Sequence, residues 1–176
     1  GKGEGPWDYL LTVLFPASEL RVLPFNRCVR DLGELTPQTF LRKLEDDFTV
    51  ETMPHDQAVL PSRQGQFLML MEGCAATVTL RSQPQDPSPV KNLDVAILQD
   101  RVLAPVLGIE DARKDPRLDY VTGDSGTEGL AQRVREGWQL GIACFPTSMS
   151  ELMAVADAGE VMPPKSTCFD PKPRSG

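Results

Sequence analysis

Two strand-forming runs separated by only two residues leave the middle of this chain little choice of fold. Gln66 to Met71 and Cys74 to Arg81 flank Glu72-Gly73. A two-residue link containing glycine closes an antiparallel hairpin, because glycine reaches the backbone conformations that so tight a turn demands. The hairpin argues against a wholly parallel, doubly wound sheet for the chain as a whole. A second hairpin is expected upstream, where the apolar-rich runs Tyr9 to Phe15 and Leu20 to Phe25 are joined by Pro16, Ala17, Ser18 and Glu19.

Helices are expected around this antiparallel frame. Thr36-Pro37 is a helix start, since the threonine hydroxyl can accept a free N–H and proline suits the first turn. Phe40, Leu41, Leu44 and Phe48 follow at helical spacing, which predicts an amphipathic helix from Pro37 to about Asp47 and a return strand from Phe48 to Thr52. Ser82 to Pro89, with three prolines, reads as an exposed connection. Asp94 is placed to cap a helix carrying Val95, Leu98 and Val102 on one face, kinked or closed by Pro105 and ended by Gly108.

Glu110 to Arg117 is a charged surface loop, Leu118 to Thr122 a short strand, and Gly123 to Thr127 a turn into a helix carrying Leu130 and Val134. Gly137 ends that helix. Trp138, Leu140, Ile142 and Cys144 alternate along a further strand, and Ser148-Met149-Ser150-Glu151 has the spacing of a capping box ahead of Leu152, Met153, Val155 and Ala156. The fold class expected is α+β, a mixed and largely antiparallel sheet built from hairpins with about four covering helices. A parallel arrangement remains the alternative for the second half, where strands and helices alternate.

At 176 residues, the chain is long enough for one substantial core, and a single domain over residues 1–176 is expected. The formal charge of −7 argues against a nucleic-acid binder, which needs a basic face to displace counterions. No apolar run is long enough for a transmembrane helix. The sequence starts at Gly1 without an initiating Met and reads as part of a longer protein. Cys28, Cys74, Cys144 and Cys168 are widely separated and accompanied by one histidine, His55, a poor metal-binding pattern. Packed, reduced thiols and a cytoplasmic location are expected.

Candidate chemistry gathers at the end of the chain. Met162 to Gly176 holds Pro163, Pro164, Pro171 and Pro173 beside Lys165, Lys172, Arg174, Ser166 and Thr167. The prolines exclude a regular helix or inner strand, so the segment reads as a stiff loop presenting polar groups. Lys165 supplies a point charge, Ser166 and Thr167 supply hydroxyl donors, and Lys172 and Arg174 can reach the same anion if the loop folds back. Arg27, at the mouth of the second strand, is the remaining candidate for that site. The competing reading is structural: the cations offset an acidic surface while Met162, the prolines and Phe169 cover the core. The turn Gly123-Asp124-Ser125-Gly126-Thr127 also has two readings, a phosphate cradle or ordinary capping; Asp124 disfavours an anion, and the P-loop ending is absent. His55, in Met53-Pro54-His55-Asp56, reads as a solvated loop histidine, with a catalytic role as the alternative.

Several of these segments together resemble a known family. Leu23-Pro24-Phe25-Asn26-Arg27, Leu93 to Asp100, Leu107-Gly108-Ile109, Asp115-Pro116-Arg117, Pro146-Thr147-Ser148 and above all Met162-Pro163-Pro164-Lys165-Ser166-Thr167 are similar to motifs of the domain of unknown function 1015 family. The resemblance runs from about Leu11 to Gly176 and is that of the C-terminal half of a longer protein. It implies an upstream half with an Ala-Asp-Gly-His-His-Arg motif, similar to the nucleotide-binding Gly-His-His-Arg of ParB-type and free-serine kinase folds. That motif is not in this sequence, and Cys168 stands where the family commonly has an aromatic residue. The implied activity is that of a small-molecule enzyme, with nucleotide-dependent phosphoryl transfer as its possible reaction. Nucleotide and Mg²⁺ would then belong to the longer protein, with no cofactor held by this chain and no turnover by the chain alone. The alternative is a noncatalytic ligand-binding or interaction domain that supports the missing half. Expected partners are a small anionic molecule and the N-terminal half or a second copy, with no nucleic acid and no membrane.

Overall fold

The computed structural model describes residues 19–170 together with Gly5, Thr12, Leu14 and Pro16. Seven strands form the sheet: β1 (Arg21–Val29), β2 (Phe48–Met53), β3 (Gln66–Met71), β4 (Cys74–Leu80), β5 (Leu118–Thr122), β6 (Leu140–Cys144) and β7 (Thr167–Asp170). Their order is β2-β4-β3-β6-β1-β5, with β7 on β1. Every pairing among them is antiparallel, so the fold is α+β, and among the described residues the second half contributes no parallel pair.

The β3–β4 hairpin turns where expected, with Met71 opposite Cys74 and Gly73 at φ 73°. The other expected hairpin partner, Tyr9 to Phe15, lies outside the described residues except for Thr12 and Leu14. Among the described residues the first half of β1 pairs instead with β7, from Arg21 opposite Asp170 to Pro24 opposite Thr167. The terminal segment is thus a strand over these four residues rather than a loop throughout. Thr167 to Asp170 fall between Pro164 and Pro171 and keep their backbone N–H groups, which is enough for a short pairing.

The helices are α1 (Pro37–Leu44), α2 (Asp94–Leu98), α3 (Ala104–Leu107), α4 (Gly126–Arg135) and α5 (Met149–Asp157). A π-helical run, Gln99–Leu103, joins α2 to α3, making one continuous helix over 94–107 and four covering helices in all. Pro105 accounts for the irregularity: it has no N–H to offer the preceding turn, and the Ala104 N–H reaches back five residues to the Gln99 carbonyl. Gly108 ends the helix at φ 65°. Thr36 caps α1 in a capping box whose return bond comes from the Thr39 hydroxyl, and Ser148 caps α5 with Glu151. Asp94 does not cap α2. Leu93 holds the cap position, and the Asp94 carboxylate is used elsewhere.

Alternation along the strands buries both faces. Phe67, Met69, Met71, Val78 and Ile142 meet Phe40, Leu44, Leu98 and Val102 on one side, where Phe48 and Phe67 pack edge to face at 6.1 Å. Leu68, Leu70, Ala75 and Ala143 meet Leu130 and Ala131 of α4 and the ring of Trp138 on the other. Each fully buried side chain of this size contributes about 1.5–3 kcal/mol. Trp138 belongs to this core but lies outside β6, which begins at Leu140. All four cysteines are free.

Candidate functional site

The site lies where β1 parts from β6. Their pairing stops at Arg27 opposite Ile142, while β6 continues along β3 to Cys144 opposite Phe67. Beyond the parting point the Cys144 N–H goes to the Asn26 side-chain oxygen at 3.3 Å, a side chain standing in for the lost ladder partner. Asn26 is buried, and its amide nitrogen has no partner.

Arg27 occupies the opposite face of the strand, between Tyr120 of β5 and Ile142 of β6. It lines a cavity of about 360 Å³ walled by Val95 and Ala96 of α2, Gln99 and Asp100 of the π-helical run, Glu110 to Arg113 of the following loop, Tyr120, and Pro163 and Pro164. Arg27 is 4% exposed. One nitrogen, Nη1, donates to the Phe25 carbonyl at 2.8 Å and contacts Cys144 Sγ at 3.4 Å. The Tyr120 ring centre lies 5.7 Å away. Among the described residues, no carboxylate pairs with Arg27.

The wall is electrostatically mixed. Arg113 and Asp111 form a two-bond pair at 2.9 and 3.1 Å, which holds the Asp111 carboxyl well below the usual carboxylate range. Asp100 and Glu110 are exposed and in no ion pair among the described residues. Tyr120 ties the loop to the sheet by donating its hydroxyl to the Ala112 carbonyl at 3.1 Å. Burial raises the Tyr120 phenol, partly opposed by the charge of Arg27, and Cys144 is raised for the same reason and opposed by the same charge. Asp94, one residue before Val95, is buried. Its Oδ1 accepts from the Gly65 N–H at 2.8 Å and its Oδ2 has no partner. Burial above all, with the Glu151 charge adding to it, pushes its carboxyl up to about 7.

The other candidate residues separate. Lys165 is exposed, with its ammonium 5.1 Å from the centre of the Phe25 ring. Ser166 is buried and its hydroxyl donates to the Pro163 carbonyl, inside its own turn. Thr167 is partly buried in β7, opposite Pro24. Lys172 and Arg174 lie outside the described residues. Arg27 and Lys165 therefore both touch Phe25, one at its carbonyl and the other at its ring, while Ser166 is committed to the turn. The Gly123 to Thr127 turn and His55 do not line this cavity. Tyr120, Gln99 and Asp100 line the site without having been singled out as site residues in the sequence. The Leu93 to Asp100 motif and the charged run after Gly108 marked their neighbourhood in advance.

Among the described residues no cluster of three or more His, Cys, Asp and Glu side chains is arranged to hold a metal ion, and no helix is long and apolar enough to cross a membrane. The family described as protein of unknown function (DUF1015) matches residues 1–96, more than half of the chain. The chain belongs to that family. No curated protein matches this DUF1015 chain. Solved structures similar to it include a free serine kinase in complex with AMP, at 15% identity and TM-score 0.47, covering 86% of this chain and 54% of that one. A mutant free serine kinase in complex with ADP is also similar, at 15% identity and TM-score 0.46, with the same coverage. A conserved hypothetical protein from Pyrococcus furiosus matches at 14% identity and TM-score 0.45, covering 86% of this chain and 56% of that one. The chain spans about half the length of these structures.

Proposed function

We propose that this DUF1015 chain supplies a small-anion site to a small-molecule enzyme, with Arg27 as the residue that grips the anion. The observation carrying this reading is the state of Arg27: an arginine 4% exposed, on a cavity wall, with no carboxylate partner among the described residues. A buried charge without a counter-charge costs several kcal/mol, and a phosphate or carboxylate entering the cavity offsets that cost. Nη1 is fixed by the Phe25 carbonyl, which orients the rest of the guanidinium for the two-bond grip that arginine makes on such groups. Lys165 stands nearby as a second positive charge. Thr167, Lys172 and Arg174 complete the proposed ligand-binding set, and Ser166 holds the Pro163 to Ser166 turn.

In its finer form the reaction is nucleotide-dependent phosphoryl transfer by the longer protein, whose other half holds nucleotide and Mg²⁺. Turnover is then expected from the longer protein and not from this chain. Four free cysteines suit a reducing, cytoplasmic compartment. The partners proposed are the small anion and the N-terminal half or a second copy.

Thermal unfolding with phosphate, small carboxylates and nucleotides tests the reading, since a ligand bound only by the native state raises apparent stability. At about 100 times its Kd, the anion should stabilise the chain by about 2.7 kcal/mol, and Arg27→Gln should abolish the gain. No gain with any of them, in this chain and in a full-length relative, would leave a noncatalytic domain that supports the other half.

A further inference from the structure

The turn that walls the cavity through Pro163 and Pro164 carries a positive charge at the next residue, and we infer that Lys165 joins Arg27 in holding one doubly charged group, so that the ligand's anionic end is a phosphate-type dianion. This rests on the anion reading of Arg27 given above. Both cations touch the same residue: Arg27 donates to the Phe25 carbonyl at 2.8 Å, and the Lys165 ammonium stands 5.1 Å from the centre of the Phe25 ring. Neither is in an ion pair among the described residues. The two cations approach one residue from different sides, Arg27 at its main-chain carbonyl and Lys165 at its ring, and an anion reaching both offsets the repulsion between them.

The turn is shaped to keep the lysine there. Lys165 is the non-glycine residue of positive φ, 55°, among the described residues, a conformation that side-chain-bearing residues seldom adopt unless their surroundings impose it. The surroundings are on hand: the buried Ser166 hydroxyl bonds back to the Pro163 carbonyl, and Pro163 and Pro164 are themselves cavity wall. The ammonium rests on an aromatic face instead of a carboxylate, so a ligand has no salt bridge to break in recruiting it.

A monocarboxylate is satisfied by the arginine fork alone. A phosphate dianion has oxygens and charge left over for the lysine. Further out, Asp100 and Glu110 place unpaired negative charge on the same cavity, which disfavours a polyphosphate running along it. The ligand class that fits is a phosphate monoester.

The test is calorimetric titration of the full chain with inorganic phosphate and with acetate at about pH 8, where phosphate is mostly dianionic. The wild-type chain should prefer phosphate. Lys165→Met, at an exposed position, should weaken phosphate binding about tenfold and leave acetate unchanged, while Lys165→Arg should keep the preference. Arg27→Gln should lose both anions. Equal affinities for the two anions, or an unchanged phosphate affinity in Lys165→Met, overturns the dianion inference and leaves the Arg27 site standing. Failure of the wild-type chain to bind either anion, or unchanged binding by Arg27→Gln, overturns the anion reading and this inference with it.

Discussion

Asp94 is the first residue of α2, one past the cap position held by Leu93, and its carboxylate turns to the Gly65 N–H and leaves one oxygen without a partner. A buried carboxyl in that position holds its proton to about pH 7, whereas the unfolded chain releases it near pH 4. Between those values the folded state carries the extra proton. Stability contributed by this group is therefore full below about pH 4, falls as pH rises, and levels off above 7, a loss on the order of 3–4 kcal/mol. Asp94→Asn keeps the acceptor for Gly65 and removes the titration. Urea unfolding at several pH values should show the decline between pH 4 and 7 in the wild-type chain and a flatter profile in the variant. An identical slope in both would mean that Asp94 ionises as an ordinary carboxyl. Nothing local in the sequence distinguishes this aspartate from a true cap, because an acid ahead of an apolar run is the same pattern in both cases. The contact that decides between them comes from a glycine twenty-nine positions upstream.

At the scale of elements, what could be read in advance was whatever a few neighbouring residues settle. Glu72-Gly73 closes its hairpin, Thr36 and Ser148 cap their helices, and Gly108 and Gly137 end theirs, each through bonds or backbone angles within a handful of positions. The partners of β1 were not legible in this way. It pairs with β5, β6 and β7, all drawn from the far half of the chain, and alternation says which face a residue takes without saying which strand lies beside it. The cavity inherits this difficulty, since its walls come from β1, α2, the 110–113 loop, β5 and the 163–164 turn. One junction among these elements makes a sharp prediction. A Cβ on Gly123, just past the end of β5, would lie 2.6 Å from Pro24 Cδ and 2.8 Å from the Pro24 carbonyl oxygen. Gly123→Ala should cost about 1–3 kcal/mol by forcing β1 and β5 apart at the site end, seen as a lower urea midpoint with an unchanged m-value. A variant of wild-type stability would show that the two strands yield there without penalty.

Across the whole molecule, the anion reading sets function against stability at one position. The chain is acidic, with a formal charge of −7, and yet it leaves a buried guanidinium without a carboxylate among the described residues. A residue kept only for stability would gain from a counter-charge or from replacement by an apolar side chain of similar length. Buried charged groups replaced in this way are often neutral or stabilising by about 1–4 kcal/mol. Arg27→Met loses the bond to the Phe25 carbonyl, worth about 1.5–3 kcal/mol for a charged donor, but it also removes the desolvated charge. In anion-free buffer the variant should therefore unfold within about 1–2 kcal/mol of wild type. Phosphate should then raise the midpoint of the wild-type chain and leave the variant unmoved, by about 2–4 °C for each kcal/mol of binding linkage in a chain of this size. Two outcomes would reverse the assignment of Arg27 from ligand grip to structural clamp. One is a loss of several kcal/mol in Arg27→Met without any anion present; the other is an equal response of both proteins to phosphate. The measurement needs no knowledge of the reaction, because it asks only whether the buried charge on β1 is balanced from inside the protein or from outside it.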